Sequence, residues 1–393
     1  MQANWRIGSL WGIPLYLDSS WFLILVFVTI VKARDVGSWI AGFILALLLF
    51  GSVLLHELGH SLVARSQGIA VNSITLFLFG GVASIDRESK TPGEAFQVAI
   101  AGPIVSMALF GLFYGLTQLF SESRLLHLLA SDLANINLVL ALFNLIPGLP
   151  LDGGQVLKAI VWKVKGDRFA GMRWAAASGK LLGWFGISLG LFFLLVTGEI
   201  GAVWITLISW FVLRNADAYD RMTQLQEALL ELVAADAMTR EFRVVNANLT
   251  LRYFADEYIL TDPSTPVAYY AASDGRYRGL VRVKDLQSVE RSEWDGQTLE
   301  AIAHPLTEIP SVQEKTPLVE VIKELEKIDD SRITVLSPAG TVAGAIDRGD
   351  IVKAVAAKQN LPIPETEIKR IKAEGTYPPY LPLPAIVKTI QQG

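Results

Sequence analysis

His56-Glu57-Leu58-Gly59-His60 lies inside an apolar run from Trp39 to Val63. At i and i+4 on a helix the two imidazoles share one face, where both can reach a single metal ion. The glutamate beside the first histidine can then act as general base toward a water that the metal activates. The run is long enough to cross a hydrocarbon core about 30 Å thick, where an ionisable side chain costs at least about 2.5–3.5 kcal/mol. That cost weighs against reading His56 and His60 as satisfied polar residues that merely join helices.

Two imidazoles do not complete a catalytic zinc site, which usually takes three protein ligands and keeps one position open. The chain has four histidines and no cysteine, so any further ligand is a histidine or a carboxylate. His127 is expected in an external loop and His304 in the polar half of the chain. Asp152 lies in Asn144-Leu145-Ile146-Pro147-Gly148-Leu149-Pro150-Leu151-Asp152-Gly153-Gly154, the sole carboxylate between Asp132 and Asp167. Two prolines unwind the helix before it, and two glycines allow close backbone approach. Alone, Asp152 reads as the cap of a helix beginning at Gly153. Beside an unpartnered histidine pair it becomes the candidate third ligand.

These residues need a membrane scaffold, and the composition supplies one. Of 393 residues 52% are hydrophobic and 18% charged, against about 25% charged in ordinary domains. Residues 1–213 are apolar with basic punctuation, whereas 214–393 are mixed and soluble in character. A net charge of −4, with no basic stripe interleaved with aromatics in the soluble half, argues against nucleic acid as a partner. The start, MQANWRIGSLWG, reads as mature protein rather than a signal peptide. About six crossings are expected: Leu15 to Val31, Ser38 to Arg65, Ala95 to Phe120, Leu133 to Ile146, Gly179 to Val196 and Ile200 to Leu213. Ile69 to Asp86 is β-rich and too short to span, so it is expected as a membrane-associated strand or hairpin held beside protein. A short basic amphipathic helix, Gln155 to Lys165, precedes the fifth span. Arg6, Arg65, Arg87, Lys90, Lys158, Lys163, Lys165, Arg168, Arg173, Arg214 and Arg221 fall on one side of this arrangement. Only Lys32, Arg34 and Arg124 fall on the other, so both termini are expected in the cytoplasm. His56 then lies about two-thirds of the way toward the cytoplasmic face, at about 1.5 Å per residue.

The paired motifs, HELGH and about ninety residues later NLIPGLPLDGG, resemble those of the site-2 proteases, the intramembrane zinc metalloproteases of peptidase family M50. Phe79-Gly80-Gly81-Val82-Ala83 and Ala101-Gly102-Pro103 match as well. The resemblance covers residues 1 to about 213. It implies one zinc ion per chain on His56, His60 and Asp152, with Glu57 as base and Asn144 holding the substrate backbone or oxyanion. It also implies that the strand around Thr75 to Ala83, with Gly80 and Gly81, pairs with an unwound substrate. The implied substrate is a single-pass membrane protein such as an anti-sigma factor or another membrane-tethered regulator. Many relatives carry Asn three residues after the Gly-Pro pair, where this chain has Ser106.

From Ala235 an internal repeat begins. Gly279 and Gly344, and likewise Asp285 and Asp350, are separated by the same 65 residues. The repeat resembles a tandem pair of cystathionine-β-synthase (CBS) regulatory domains, at 235–295 and 296–358. Residues 214–234 form an expected linker helix and 359–393 an expected extended tail containing Tyr377-Pro378-Pro379-Tyr380. CBS pairs imply homodimerisation and an adenine nucleotide near Asp285 and Asp350. The Ser or Thr usual three residues earlier is replaced here by Arg282 and Asp347.

The expected fold is therefore a polytopic α-helical membrane domain with a membrane-associated β-hairpin or sheet, plus a cytoplasmic α/β tandem CBS module. The expected activity is hydrolysis of a peptide bond within or near a transmembrane segment, in a multi-pass protein of the cell membrane surrounded by lipid. A CBS-regulated transporter or channel is the competing class, but it should line a path with polar groups or show inverted halves. A non-cleaving homologue is a further alternative, against which the intact motifs argue.

Overall fold

The computed structural model describes residues 5–78, 80–199, 201–260, 268–328 and 330–392. Phe79, Ile200 and Val267, which belong to segments discussed above, lie outside the described residues. The chain divides into two compact units, the boundary falling between Thr223 and Gln224.

The first unit opens on two strands, β1 (Trp5–Leu10) and β2 (Ile13–Leu17), followed by α1 (Ser19–Val36) and α2 (Trp39–Ser66). The expected first span is corrected here. Ile13, Leu15 and Leu17 alternate inward as a strand does, and Asp18 ends the strand by capping α1 through the Ser20 N–H. The expected hairpin is present as β3 (Val71–Phe77) and β4 (Gly80–Ile85), joined to β1 and β2 in one sheet of order β1-β2-β3-β4. β2 and β3 are parallel and the other neighbours antiparallel. Both edges of β3 are thus used, so among the described residues of the expected pairing segment Thr75 to Ala83 only β4 offers a free edge. Ile13, Leu15 and Ile74 pack around Leu58 of α2, pressing the sheet against the HELGH turn.

Four helices follow: α3 (Pro92–Leu119), α4 (Arg124–Asn144), α5 (Asp152–Lys165) and α6 (Arg168–Thr197). Thr91 and Glu94 form a capping box that starts α3. His127 lies inside α4, its Nδ1 3.0 Å from the Thr117 carbonyl, and not in a loop. Among the described residues four helices are long and apolar enough to cross a membrane: α2, α3, α4 and α6. α1 is short of that description because Lys32, Arg34 and Asp35 fall within its 18 residues. The sixth expected span is the first part of a longer helix, α7 (Gly201–Glu231), whose apolar stretch gives way at Arg214.

The second unit contains α8 (Ala234–Ala237), β5 (Phe242–Asn246), α9 (Leu251–Phe254), β6 (Ala268–Ser273), β7 (Arg276–Val281), α10 (Val283–Leu286), β8 (Ser311–Gln313), α11 (Leu318–Leu325), β9 (Arg332–Leu336), β10 (Val342–Asp347), α12 (Arg348–Lys358), α13 (Glu365–Glu374) and α14 (Leu383–Gln392). The repeat is visible as two sheets of like topology, β5-β6-β7 and β8-β9-β10, each a parallel pair extended by an antiparallel strand. Each sheet borrows an edge from the segment before the other. Thr239 bridges Ala345 and, 65 residues on, His304 bridges Leu280. The glycines beside those bridges, Gly279 and Gly344, are required for close approach, since a Cβ would strike the His304 and Thr239 carbonyls.

Leu225, Leu229 and Leu232 of the expected linker helix are buried in the core of this unit with Leu318 and Ile322. The tail is helical rather than extended. Ile368 and Ile371 on α13, and Leu383, Ile386 and Val387 on α14, recur at helical spacing and enter the same core.

Candidate metal centre

Helix α2 carries the two histidines, and their outer nitrogens converge. His56 Nε2 and His60 Nε2 are 3.3 Å apart, and the imidazoles are 3% and 8% exposed respectively. Asp152 joins them, one carboxylate oxygen 3.0 Å from His56 Nε2 and the other 3.3 Å from His60 Nε2. The three donor atoms lie within 4.8 Å of one another. The capping alternative for Asp152 gives way, because the aspartate is itself the first residue of α5 and Leu151 precedes it as N-cap.

The inner nitrogens are spoken for. His56 Nδ1 lies 2.8 Å from Ser106 Oγ, and His60 Nδ1 donates to the Val98 carbonyl at 2.7 Å. A carbonyl only accepts, so Nδ1 of His60 carries a proton, and Nε2 is the nitrogen that can offer a lone pair to a metal. Both partners come from α3, which approaches because a Cβ on Gly59 would strike the Ala101 carbonyl. A Cβ on Gly102 would enter the imidazoles themselves. Ser106 was the position that departs from the resemblance, and its hydroxyl is what holds His56. Sequence reading missed this role because a serine in an apolar helix has no signature of its own.

The unwound stretch after α4 places Asp152. The Leu149 N–H donates to the Ala175 carbonyl at 3.1 Å, and Leu149 packs on Ala175 and Ala176 of α6. The Ser178 hydroxyl donates to the Pro147 carbonyl. Gly153 lies so close to the Leu145 and Ile146 carbonyls that no larger residue fits. Asn144 ends α4, half-buried. Glu57 is also half-buried, and a Cβ on Gly81 of β4 would come within 2.5 Å of its Cγ. The structure thus brings His56, His60 and Asp152 together, with Glu57 against Gly81. Two imidazole nitrogens, each on a ring oriented through its other nitrogen, and one carboxylate oxygen fit a tetrahedral zinc ion with an open fourth position.

The paired aspartates of the repeat have partners of their own. Asp285 accepts from His304 Nε2 at 2.7 Å. Asp350 caps α12 reciprocally with Asp347 and lies 2.5 Å from Lys372 of α13.

Two buried histidines on a membrane-length helix, joined by Asp152 and with a glutamate at their side, define a membrane metallopeptidase. Comparison with known proteins narrows the class. The profile of peptidase family M50 matches residues 44–133 and 121–179, and that of the CBS domain matches residues 300–357. A protein of Synechocystis sp. named as a zinc metalloprotease is 41% identical over 367 residues, spanning 90% of this chain and 96% of its own. A zinc metalloprotease of Methanocaldococcus jannaschii is 30% identical over 356 residues, spanning 91% and 97%. The solved site-2 protease of M. jannaschii covers 56% of this chain and 96% of its own at 34% identity, with a TM-score of 0.40. The chain belongs to peptidase family M50, the site-2 proteases, and carries a CBS domain. It is a membrane zinc metalloprotease.

Proposed function

We propose that the chain cleaves a peptide bond within or near a transmembrane segment of another membrane protein, using one zinc ion held by His56, His60 and Asp152. The convergence of those three side chains within 4.8 Å carries this reading. Zinc supplies the Lewis acidity that polarises a scissile carbonyl and makes water nucleophilic near neutral pH. Ser106 and the Val98 carbonyl fix the imidazole rotation and leave both Nε2 atoms facing the cluster. Glu57 takes the proton at its carboxylate and delivers it to the leaving amine. In this reading Asn144, at the end of α4, donates to the substrate backbone.

A substrate helix offers no free carbonyl and must unwind locally before attack. The unwound segment pairs with the free edge of β4, where Gly80 and Gly81 present a bare backbone beside Glu57. We place six crossings in the membrane, α1 and the apolar part of α7 completing the four long helices, with both termini cytoplasmic. The substrate class is a single-pass, membrane-tethered regulator such as an anti-sigma factor. The CBS pair regulates or dimerises the enzyme, and an adenine nucleotide near Asp285 and Asp350 would compete with His304 and Lys372 for those carboxylates.

Metal analysis of the purified full-length chain, alongside cleavage of a model transmembrane substrate with and without a chelator, tests this reading. Stoichiometric zinc with chelator-sensitive cleavage inside the membrane segment is expected. Zinc-free protein with undiminished activity would contradict it.

A further inference from the structure

Outside the metal centre, one lysine is buried among the described residues of the first unit. Lys158 on α5 is 5% exposed, and its ammonium lies 2.5 Å from Glu88 Oε2. Arg168, at the start of α6, reaches the same oxygen at 3.1 Å. Burial alone would raise the Glu88 carboxyl, but the two cations outweigh it and hold it below the usual carboxylate range. The Lys158 side chain is 7% exposed and that of Glu88 38%, so it is the lysine charge that is taken out of water, at a desolvation cost that apolar residues of similar size avoid. Its presence therefore calls for a reason in geometry rather than in stability.

Position supplies that reason. Glu88 follows β4 by three residues, in a segment fastened by the Asp86 N–H to the Ala70 carbonyl and by Arg87 to the Gly68 carbonyl. Lys158 sits on α5, the helix whose first residue is Asp152. α6 crosses α5 closely at this point, because a Cβ on Gly171 would meet the Lys158 carbonyl at 2.5 Å. One ion pair thus joins the end of the free-edged strand to the helix that presents the aspartate.

We propose that Lys158, with Glu88 as its counter-charge, is a positioning residue for cleavage, fixing the substrate-side strand β4 in register with the metal centre. This rests on the reading of β4 as the strand that pairs with substrate. The charge matters and not only the volume, so arginine serves in place of lysine while methionine does not.

The test compares Lys158→Met, Lys158→Arg, Glu88→Gln and the double variant Lys158→Met/Glu88→Gln in the full-length enzyme, measuring zinc content, kcat and KM. Lys158→Met and Glu88→Gln are each expected to lower kcat/KM by about 10–100-fold with zinc unchanged, as a misplacement near 1 Å would. Lys158→Arg should remain within a few-fold of wild type, and the double variant should be reduced to the level of the single variants without compounding them. Unchanged kcat/KM in Lys158→Met, equal damage in Lys158→Arg, multiplying effects in the double variant, or zinc lost together with activity would each overturn the proposal. If the single variants do not accumulate, the double variant leaves neither charge unmatched by the other. Reduced kcat/KM with full zinc would then support the proposal, and wild-type kinetics would overturn it. A wild-type enzyme that held no zinc, or did not cleave, would instead contradict the proposed function and leave the register argument without its premise.

Discussion

At the scale of single residues, the metal centre divides into groups that bind and groups that aim the binders. His56 and His60 were legible in the sequence because two imidazoles at i and i+4 in an apolar helix cost too much to bury without a ligand to hold. Ser106 was not, because its worth depends on a contact across 50 residues. Ser106→Ala should leave the fold intact and weaken zinc binding about 10–100-fold, as loss of partners behind metal ligands typically does. Competition with a chromogenic chelator reads that affinity directly, and an unchanged value would show that His56 is held by packing alone. Asp152→Ala should remove most bound zinc at neutral pH, with Asp152→Asn intermediate, measured by metal analysis of the washed protein. Full zinc in the alanine variant would show that another group completes the site.

At the scale of elements, the sheet brings substrate edge and base together. Its buried face rests on Leu58, one residue from Glu57, so β4 cannot approach without meeting the glutamate. Gly81 is glycine for that reason. Gly81→Ala places a methyl 2.5 Å from Glu57 Cγ, so the carboxylate must swing aside. Activity should then fall by about 100-fold while zinc content holds. Wild-type kcat in that variant would mean the glutamate has room the structure does not show. The β3–β4 hairpin was readable from its paired glycines and β-branched residues. The strands before it were not, because Leu15 to Val31 is nearly unbroken in hydropathy and only Asp18 marks the boundary. The tail was misread for a similar reason. Its prolines suggested an extended segment, yet Pro364 and Pro382 stand just ahead of helices, where a missing N–H costs nothing.

At the scale of the whole molecule, the second unit has a chemistry of its own. Burial, and then the neighbouring Asp347 carboxylate, push Asp350 up to about 6 despite Lys372 beside it. A carboxyl raised in the fold binds more protons there than in the unfolded chain. Its contribution to stability is present below 3.8 and lost as pH rises through about 6. Asp350→Asn should therefore flatten the pH dependence of unfolding of this unit across that window, as followed by thermal denaturation. An identical profile in wild type and variant would show that Asp350 ionises as it does in the unfolded chain. The 65-residue repeat was legible in the sequence, but the burial of Leu225, Leu229 and Leu232 was not, since an amphipathic linker and a core helix share one pattern. A truncation after Thr223 follows the boundary the structure draws. It should alter cleavage rate or substrate selectivity while zinc stays bound, and unchanged kinetics on a full-length membrane substrate would remove the regulatory role.

The central claim is that Glu57 moves the proton in a zinc-dependent hydrolysis. Turnover of a transmembrane substrate by zinc-loaded Glu57→Gln protein tests it most directly. The amide keeps the shape and hydrogen-bonding capacity of the carboxylate but cannot accept a proton. Cleavage should fall by at least about 10²–10⁴-fold, with zinc content and thermal stability near wild type. Near-wild-type turnover would contradict the account.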